Sequence, residues 1–250
     1  MYDARRSMVQ PFKGQMVVVT AIVAAYLAGA IPFAYILARA HGKDLRSIGS
    51  GNIGATNLSR ALGRRWGYVC FILDVLKGLI PMLVTLMGVK PIFLQRGGTA
   101  MQFLWLWLAV GCAAVMGHVF PVYLGFKGGK GVATSFGVAL GLWPYFTGSA
   151  LAASAIWLAV LLIWRYVSLA SIIAASSFPI ILGTAIGLSP RWEIQALWPL
   201  MLVATVIPLI VLVMHRSNIR RLHQGTEHRV FQGRQPDDTA STHGSNGQGA

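Results

Sequence analysis

Three stretches of this 250-residue chain combine glycines, cations and small polar side chains at spacings suited to holding an anion. The first, "GSGNIGATNLSRALG" (49–63), sets Gly49, Gly51 and Gly54 among Ser50, Asn52, Thr56 and Asn57, with Arg60 close behind. Glycine reaches positive φ without steric cost, so successive N–H groups can turn toward one point and form a nest. "TNLSRALG" reads as a short helix capped by Thr56 or Asn57 and stopped by Gly63, its N-terminus facing whatever the loop holds. An ordinary solvated connector has no need of three close glycines and four small donors. The second stretch, "GHVFPVYLGFKGGKGVATSFG" (117–137), surrounds Lys127 and Lys130 with Gly125, Gly128, Gly129 and Gly131 and again precedes a helix. The nucleotide-binding pattern G-x-x-x-x-G-K-[ST] fails here, because Gly131 follows Lys130. His118 ends an apolar run, either as a structural hydrogen-bonder or as part of the site. The third, "HRSNIRRLHQGTEH" (215–228), contains Arg216, Arg220 and Arg221, which a stop-transfer cluster explains. It does not explain His215 and Asn218, which share a helix face with Leu222.

Two smaller groups have two readings each. Asp74 and Lys77 stand i, i+3 inside an apolar run, where ionisable residues are costly. They are functional, or they pair and hold one helix against a polar loop. Arg165, Ser168 and Ser171 in "RYVSLAS" either cap a helix junction or join the site. Carboxylates near the three stretches are limited to Asp44, Asp74 and Glu227. Metal-assisted phosphoryl transfer needs more acidic ligands, so no metal and no cofactor is expected. Cys70 and Cys112 lie in apolar runs without ligand spacing and read as free core thiols.

The elements that carry these residues are membrane helices. The chain is 55% hydrophobic and 11% charged, where soluble domains carry about 25% charge, and mean hydropathy is +0.62. Seven apolar stretches can be drawn, at 16–38, 66–88, 101–124, 131–147, 148–164, 167–188 and 196–214. The expected fold is therefore an all-α integral membrane protein of seven transmembrane helices, with glycine-rich loops at the cytoplasmic face. The fourth and fifth stretches are short and touch at Gly148, so a hairpin that does not fully cross is the alternative. Ala28-Gly29-Ala30 imitates a signal-peptide cleavage site, but apolar character continues through "IPFAYILA", which predicts one uncleaved span. The expected division is an extension at 1–15, one transmembrane domain at 16–230 and a disordered polar tail at 231–250.

Orientation follows the basic residues. Fourteen of the 21 Lys and Arg follow the first, third, fifth and seventh stretches and six lie on the other side, which predicts cytoplasmic glycine loops and a cytoplasmic C-terminus. Arg5, Arg6 and Lys13 argue the opposite way. A net charge of +14 on a soluble chain would suggest nucleic acid. Between apolar runs it suggests anionic headgroups or a phosphorylated substrate.

"GSGNIGATNLSRALG", "GHVFPVYLGFKGGKGVATSFG" and "HRSNIRRLHQGTE", in that order and with "LDVLKG" between the first two, resemble the three motifs of bacterial acyl-phosphate:glycerol-3-phosphate acyltransferases. The resemblance runs from about residue 20 to 230. It implies a bacterial inner-membrane enzyme moving a fatty acyl group from acyl phosphate to the sn-1 hydroxyl of glycerol 3-phosphate. The products are lysophosphatidic acid and phosphate, the first step of phospholipid synthesis. A companion enzyme supplies the acyl phosphate, and the partners are these substrates and membrane lipids, with no nucleic acid.

Both substrates carry a phosphate, which suits two anion sites, and an acyl chain keeps the reaction where lipid meets water. The expected catalytic set is Ser50, Asn52, Lys127, Lys130, His215 and Asn218. Substrate binding falls to Gly49, Gly51, Gly54, Thr56, Asn57, Arg60, His118, Gly128, Gly129, Ser168 and Arg221. No Ser-His-Asp arrangement is present, so direct attack without an acyl-enzyme is expected. The proton acceptor is His215, as the nearby base with a near-neutral pKa, or the phosphate of glycerol 3-phosphate itself. A transporter for organic phosphates would show inverted repeats and broken helices at mid-membrane. A lipid-binding scaffold would need only a polybasic cluster.

Overall fold

The computed structural model describes residues 4–190 and 192–230, and helices are the only regular elements among them. The polar tail at 231–250 lies outside the described residues. Among the described residues, six helices are long and apolar enough to cross a membrane. The first, Gln15–Ala40, is one candidate span that continues through "IPFAYILA", as expected, but its helix is interrupted. It is broken into α1 (Ala4–Ala30) and α2 (Phe33–Ala40) at Ile31 and Pro32. Proline lacks the N–H a helix needs and disfavours the α conformation in the residue before it. α1 also runs unbroken across residues 15 and 16.

Beyond the first loop lie α3 (Ala55–Leu62) and α4 (Arg64–Val84). A π-helical turn at Thr85–Val89 carries α4 into α5 (Lys90–Gln95). α6 (Ala100–Val119) starts with a capping box, Thr99 with Gln102, and is the most enclosed span. The fourth apolar stretch forms α7 (Val132–Gly141), whose 10 residues cover about 15 Å, half the hydrocarbon thickness of about 30 Å. Residues 142–146 separate it from α8 (Thr147–Trp164). α9 (Val167–Leu188), α10 (Ile194–Met214) and α11 (Arg216–His223) complete the order.

Small residues set two close helix crossings. A Cβ on Gly29 would strike the backbone of Ala114, and one on Gly117 would strike that of Tyr26 and Ala30, so α1 and α6 approach backbone to backbone. α4 and α7 do the same through Gly78, against the Thr134 carbonyl, and Gly137, against the Val75 carbonyl. Without a hydrophobic drive between helices in lipid, such close packing is what holds a bundle together. The Trp107 indole N–H adds a bond to the Met82 carbonyl (2.9 Å), tying α6 to α4. α8 packs on α9, and α9 on α10. Contacts of Lys130 with Asn218 and of Ser168 with Glu227, and a cavity lined by both Ile53 and Gly129, gather the α2–α3 loop, the α6–α7 loop, the α8–α9 junction and α11 together.

Candidate functional site

The first glycine loop is built around Asn57. Its side-chain amide donates to the carbonyls of Leu45 (3.1 Å) and Ile48 (2.9 Å), and its Oδ1 accepts from the Ser50 N–H (3.1 Å). With both amide hydrogens spent on these carbonyls, it has no side-chain donor left for a ligand. It shapes the loop instead, and Gly49 is small because its Cβ would meet Asn57 Oδ1. Gly49 and Gly51 do take positive φ (57° and 67°), as a nest requires. Gly54 does not: it is extended and is itself the N-cap of α3, where Thr56 or Asn57 was expected. Gly63 stops α3 with φ 96°. Among the described residues, the N–H groups of 52–56 have no protein partner, leaving the start of α3 open to an anion. Arg46 is engaged by Asp44 (3.3 Å), which also accepts from Arg39 (2.7 Å).

The second loop uses its glycines differently. Gly125 and Gly131 have positive φ, but Gly128 and Gly129 do not. Their N–H groups are spent on the carbonyls of Val119 and His118, 3.1 Å each, so they form no nest. A Cβ at Gly128 would strike those carbonyls, and one at Gly129 would strike the His118 ring. Close approach, not positive φ, is the reason for glycine there. The open donors begin one residue later, in the N–H groups of 130–134 at the start of α7.

Between these helix starts lies a cluster whose centre is Glu227. Its Oε1 accepts from Ser168 Oγ (2.8 Å) and Asn218 Nδ2 (2.7 Å), and its Oε2 from Arg221 Nε (2.7 Å). Asn218 Oδ1 in turn accepts from Lys130 Nζ at 2.5 Å. Burial alone would raise the Glu227 pKa, but the bonds from Asn218, Arg221 and Ser168 hold it below the usual carboxylate range. Burial, with Arg221 and Arg60 beside it, pulls Lys130 down to about 8, against the opposing pull of Glu227. Arg60 has its pKa lowered by burial and by the Arg221 charge, with Glu227 opposing. These three cations therefore share one field and one carboxylate.

His215, 2% exposed, sits where α10 passes into α11. Its Nδ1 lies 2.7 Å from the Val211 carbonyl, which fixes the N–H there and leaves Nε2 as an acceptor. Burial and the Lys130 charge lower its pKa to about 4. The near-neutral base expected from its residue type is thus a neutral imidazole of weak basicity.

Lys130, Ser168, Asn218 and Arg221 are brought together directly, with Arg60 and His215 close enough to feel their charges. Lys127 is exposed and its side chain joins none of these contacts; of the two lysines only Lys130 turns inward. Ser50 and Asn52 in the first loop, and Thr56 in the first turn of α3, lie outside the group around Glu227. His118 stands beneath the second loop beside Asp74 and Lys77. Glu227 was missed as a site residue. Its signal was present: it is the sole carboxylate in a segment that contains Arg216, Arg220 and Arg221.

A family model described as glycerol-3-phosphate acyltransferase matches residues 19–225. Glycerol-3-phosphate acyltransferase of Geotalea daltonii is 45% identical over 207 residues, covering 82% of this chain and 94% of the relative. That of Aquifex aeolicus is 42% identical over 208 residues, covering 83% and 96%. The crystal structure of PlsY, an integral membrane glycerol 3-phosphate acyltransferase, in its glycerol 3-phosphate form superposes with a TM-score of 0.71 at 40% identity. It covers 86% of this chain and 100% of the other. The lysophosphatidic acid form gives 0.68 at 40% identity, covering 85% and 95%.

Proposed function

Since the chain belongs to the glycerol-3-phosphate acyltransferase family, we propose that this multi-pass membrane protein acylates the sn-1 hydroxyl of glycerol 3-phosphate with acyl phosphate as donor. The carrying observation is the group of Arg60, Lys130 and Arg221 around Glu227, set between two helix starts with open N–H groups. Two phosphates meeting there supply what three cations and two positive helix ends attract. The hydroxyl attacks the carbonyl carbon, a C–O bond forms, and inorganic phosphate leaves as the tetrahedral oxyanion collapses.

The leaving group is already good, so the protein's task is orientation and charge neutralisation, and positioning alone can supply roughly 7–11 kcal/mol. The proton acceptor is the phosphate of glycerol 3-phosphate. A phosphate monoester has its second pKa near about 6, whereas His215 is held at about 4. The neutral Nε2 of His215 then serves as a hydrogen-bond acceptor that orients a substrate hydroxyl. Lysophosphatidic acid remains in the lipid, since each buried CH₂ contributes about 0.8 kcal/mol. The excess of basic residues at this end of the bundle supports a cytoplasmic active site in a bacterial inner membrane, with a companion enzyme supplying the donor.

The test is a donor comparison. Purified protein with glycerol 3-phosphate should release phosphate and form lysophosphatidic acid from acyl phosphate, and should keep that activity in EDTA. Comparable turnover with acyl-CoA, or loss on chelation restored by Mg²⁺, overturns the reading. Cysteines placed at 43–47 should label only from the cytoplasm, and those at 94–98 only from outside.

A further inference from the structure

Asp74 and Lys77 are charged, lie inside a span and touch none of the residues around Glu227. They are 3% and 6% exposed, with Lys77 Nζ 2.8 Å from Asp74 Oδ1. A buried ion pair at best breaks even against packed hydrophobes of similar volume, so stability does not explain it. Nor does helix packing, because α4 already meets α7 through Gly78 and Gly137.

The remaining contacts point elsewhere. Lys77 Nζ also donates to the Ile31 carbonyl (2.8 Å), at the break between α1 and α2. The same ammonium lies 5.6 Å from the ring centre of Phe33, the first residue of α2. On its other side Asp74 accepts from Cys70 Sγ (3.6 Å) and faces His118, whose Nδ1 is 3.7 Å from Oδ1. That is too long for a hydrogen bond, and Nδ1 has no other partner among the described residues. The His118 ring is the surface on which Gly129 rests. One small cavity is lined by Ile31, Ile53, Asp74, Lys77, His118 and Gly129, and so touches both glycine loops. From Ile31 the chain runs through α2 into the first loop, and from His118 it runs into the second.

We propose that Asp74 and Lys77 are positioning residues for the acyl transfer. The pair ties the α1–α2 break to α4, with Asp74 facing the His118 ring on which the second loop rests, and thereby fixes the placement of the α3 start relative to the α7 start. This rests on the function proposed above. Each loop keeps its own internal bonds without the pair, the first through Asn57 and the second through the Val119 and His118 carbonyls. Each phosphate therefore still binds, but the two substrates no longer meet in register. A misplacement of about 1 Å can cost on the order of 10²-fold in rate.

The experiment uses the purified full chain and three variants: D74L/K77L, which removes both charges so that none is left unpaired, K77M and K77R. The double variant should melt within a few degrees of the parent. Its kcat should fall about 10–100-fold while KM for both substrates stays near the parental value. K77R, which can still donate to Asp74 and Ile31, should recover most of kcat, and K77M should not. A parental kcat in the double variant overturns the proposal. So does a raised KM with kcat kept, which marks a ligand contact, or a K77R as impaired as K77M. A second readout needs no turnover. Spin labels at S47C and Y123C, in a C112A background, should give one narrow distance in the parent and in K77R, and a broad one in K77M and the double variant. An unchanged narrow distance in every variant overturns the positioning role even if the acyl-transfer reading fails.

Discussion

The two glycine loops share a composition and differ in why they need it. In the α2–α3 loop Gly49 and Gly51 supply positive φ, and a buried amide, Asn57, holds the turn from within. In the α6–α7 loop Gly128 and Gly129 have ordinary φ and are small because the end of α6 and the His118 ring lie against them. Both loops deliver the same product, a helix start with open N–H groups, by different means. One is a self-supported turn and the other is a lid of backbone pressed onto a neighbouring helix.

That contrast can be broken by substitution. Gly129→Ala forces a methyl onto the His118 ring, so that the buried ring or the loop must shift. Its kcat should fall by about 10²-fold or more, the scale of a misplaced reacting group, in protein that still purifies folded. Parental turnover would mean that close approach is not the reason for glycine there. Asn57→Ala is expected next in size. It removes three hydrogen bonds and leaves buried partners unmet, at about 1–3 kcal/mol for each unsatisfied group. Thermal unfolding should shift down by several degrees, with activity falling in step. An unshifted melting point would show that the first loop does not depend on its amide.

The charge cluster gives a smaller and more specific effect. Lys130 has a folded-state pKa lowered to about 8, so it is protonated below that value and loses its charge as pH rises through it. KM for the phosphate substrates should therefore climb above about pH 8, read from initial rates across pH. A flat KM from pH 7 to 9 would remove Lys130 from phosphate binding. The smallest effect belongs to His215→Gln. A general base of pKa near neutrality would contribute about 10²–10⁴, but His215 sits at about 4. The variant should stay within about tenfold of parental kcat, below that range, and both proteins should share one acid limb at about pH 6, set by the substrate phosphate. Loss of that limb in the variant would return the proton to the histidine.

Much of this was legible in the chain because membrane helices announce themselves by length and hydropathy. Three polar motifs at the ends of alternate apolar stretches have to share a face. The break at Pro32 was written in "IPFAY" but outweighed by the apolar run around it. Other features depend on contacts between distant residues. Nothing local separates Lys127 from Lys130; the difference is that Asn218, 88 residues away, accepts from one of them. Asn57 looked like a ligand donor because residue type does not reveal whether an amide faces outward or back into its own loop. Glu227 looked incidental until Ser168, Asn218 and Arg221 converged on it. His215 has the residue type of a base, and only its burial and the nearby Lys130 charge, which lower its pKa to about 4, argue against that role.

The central claim is that cations between the two helix starts hold substrate phosphate, and Arg60→Ala tests it most directly. Initial rates with purified protein, acyl phosphate and varied glycerol 3-phosphate should show KM for glycerol 3-phosphate raised at least about tenfold, the loss of a charge-assisted contact, with kcat much less affected. Unchanged KM and unchanged kcat would mean that the first glycine loop does not hold a phosphate.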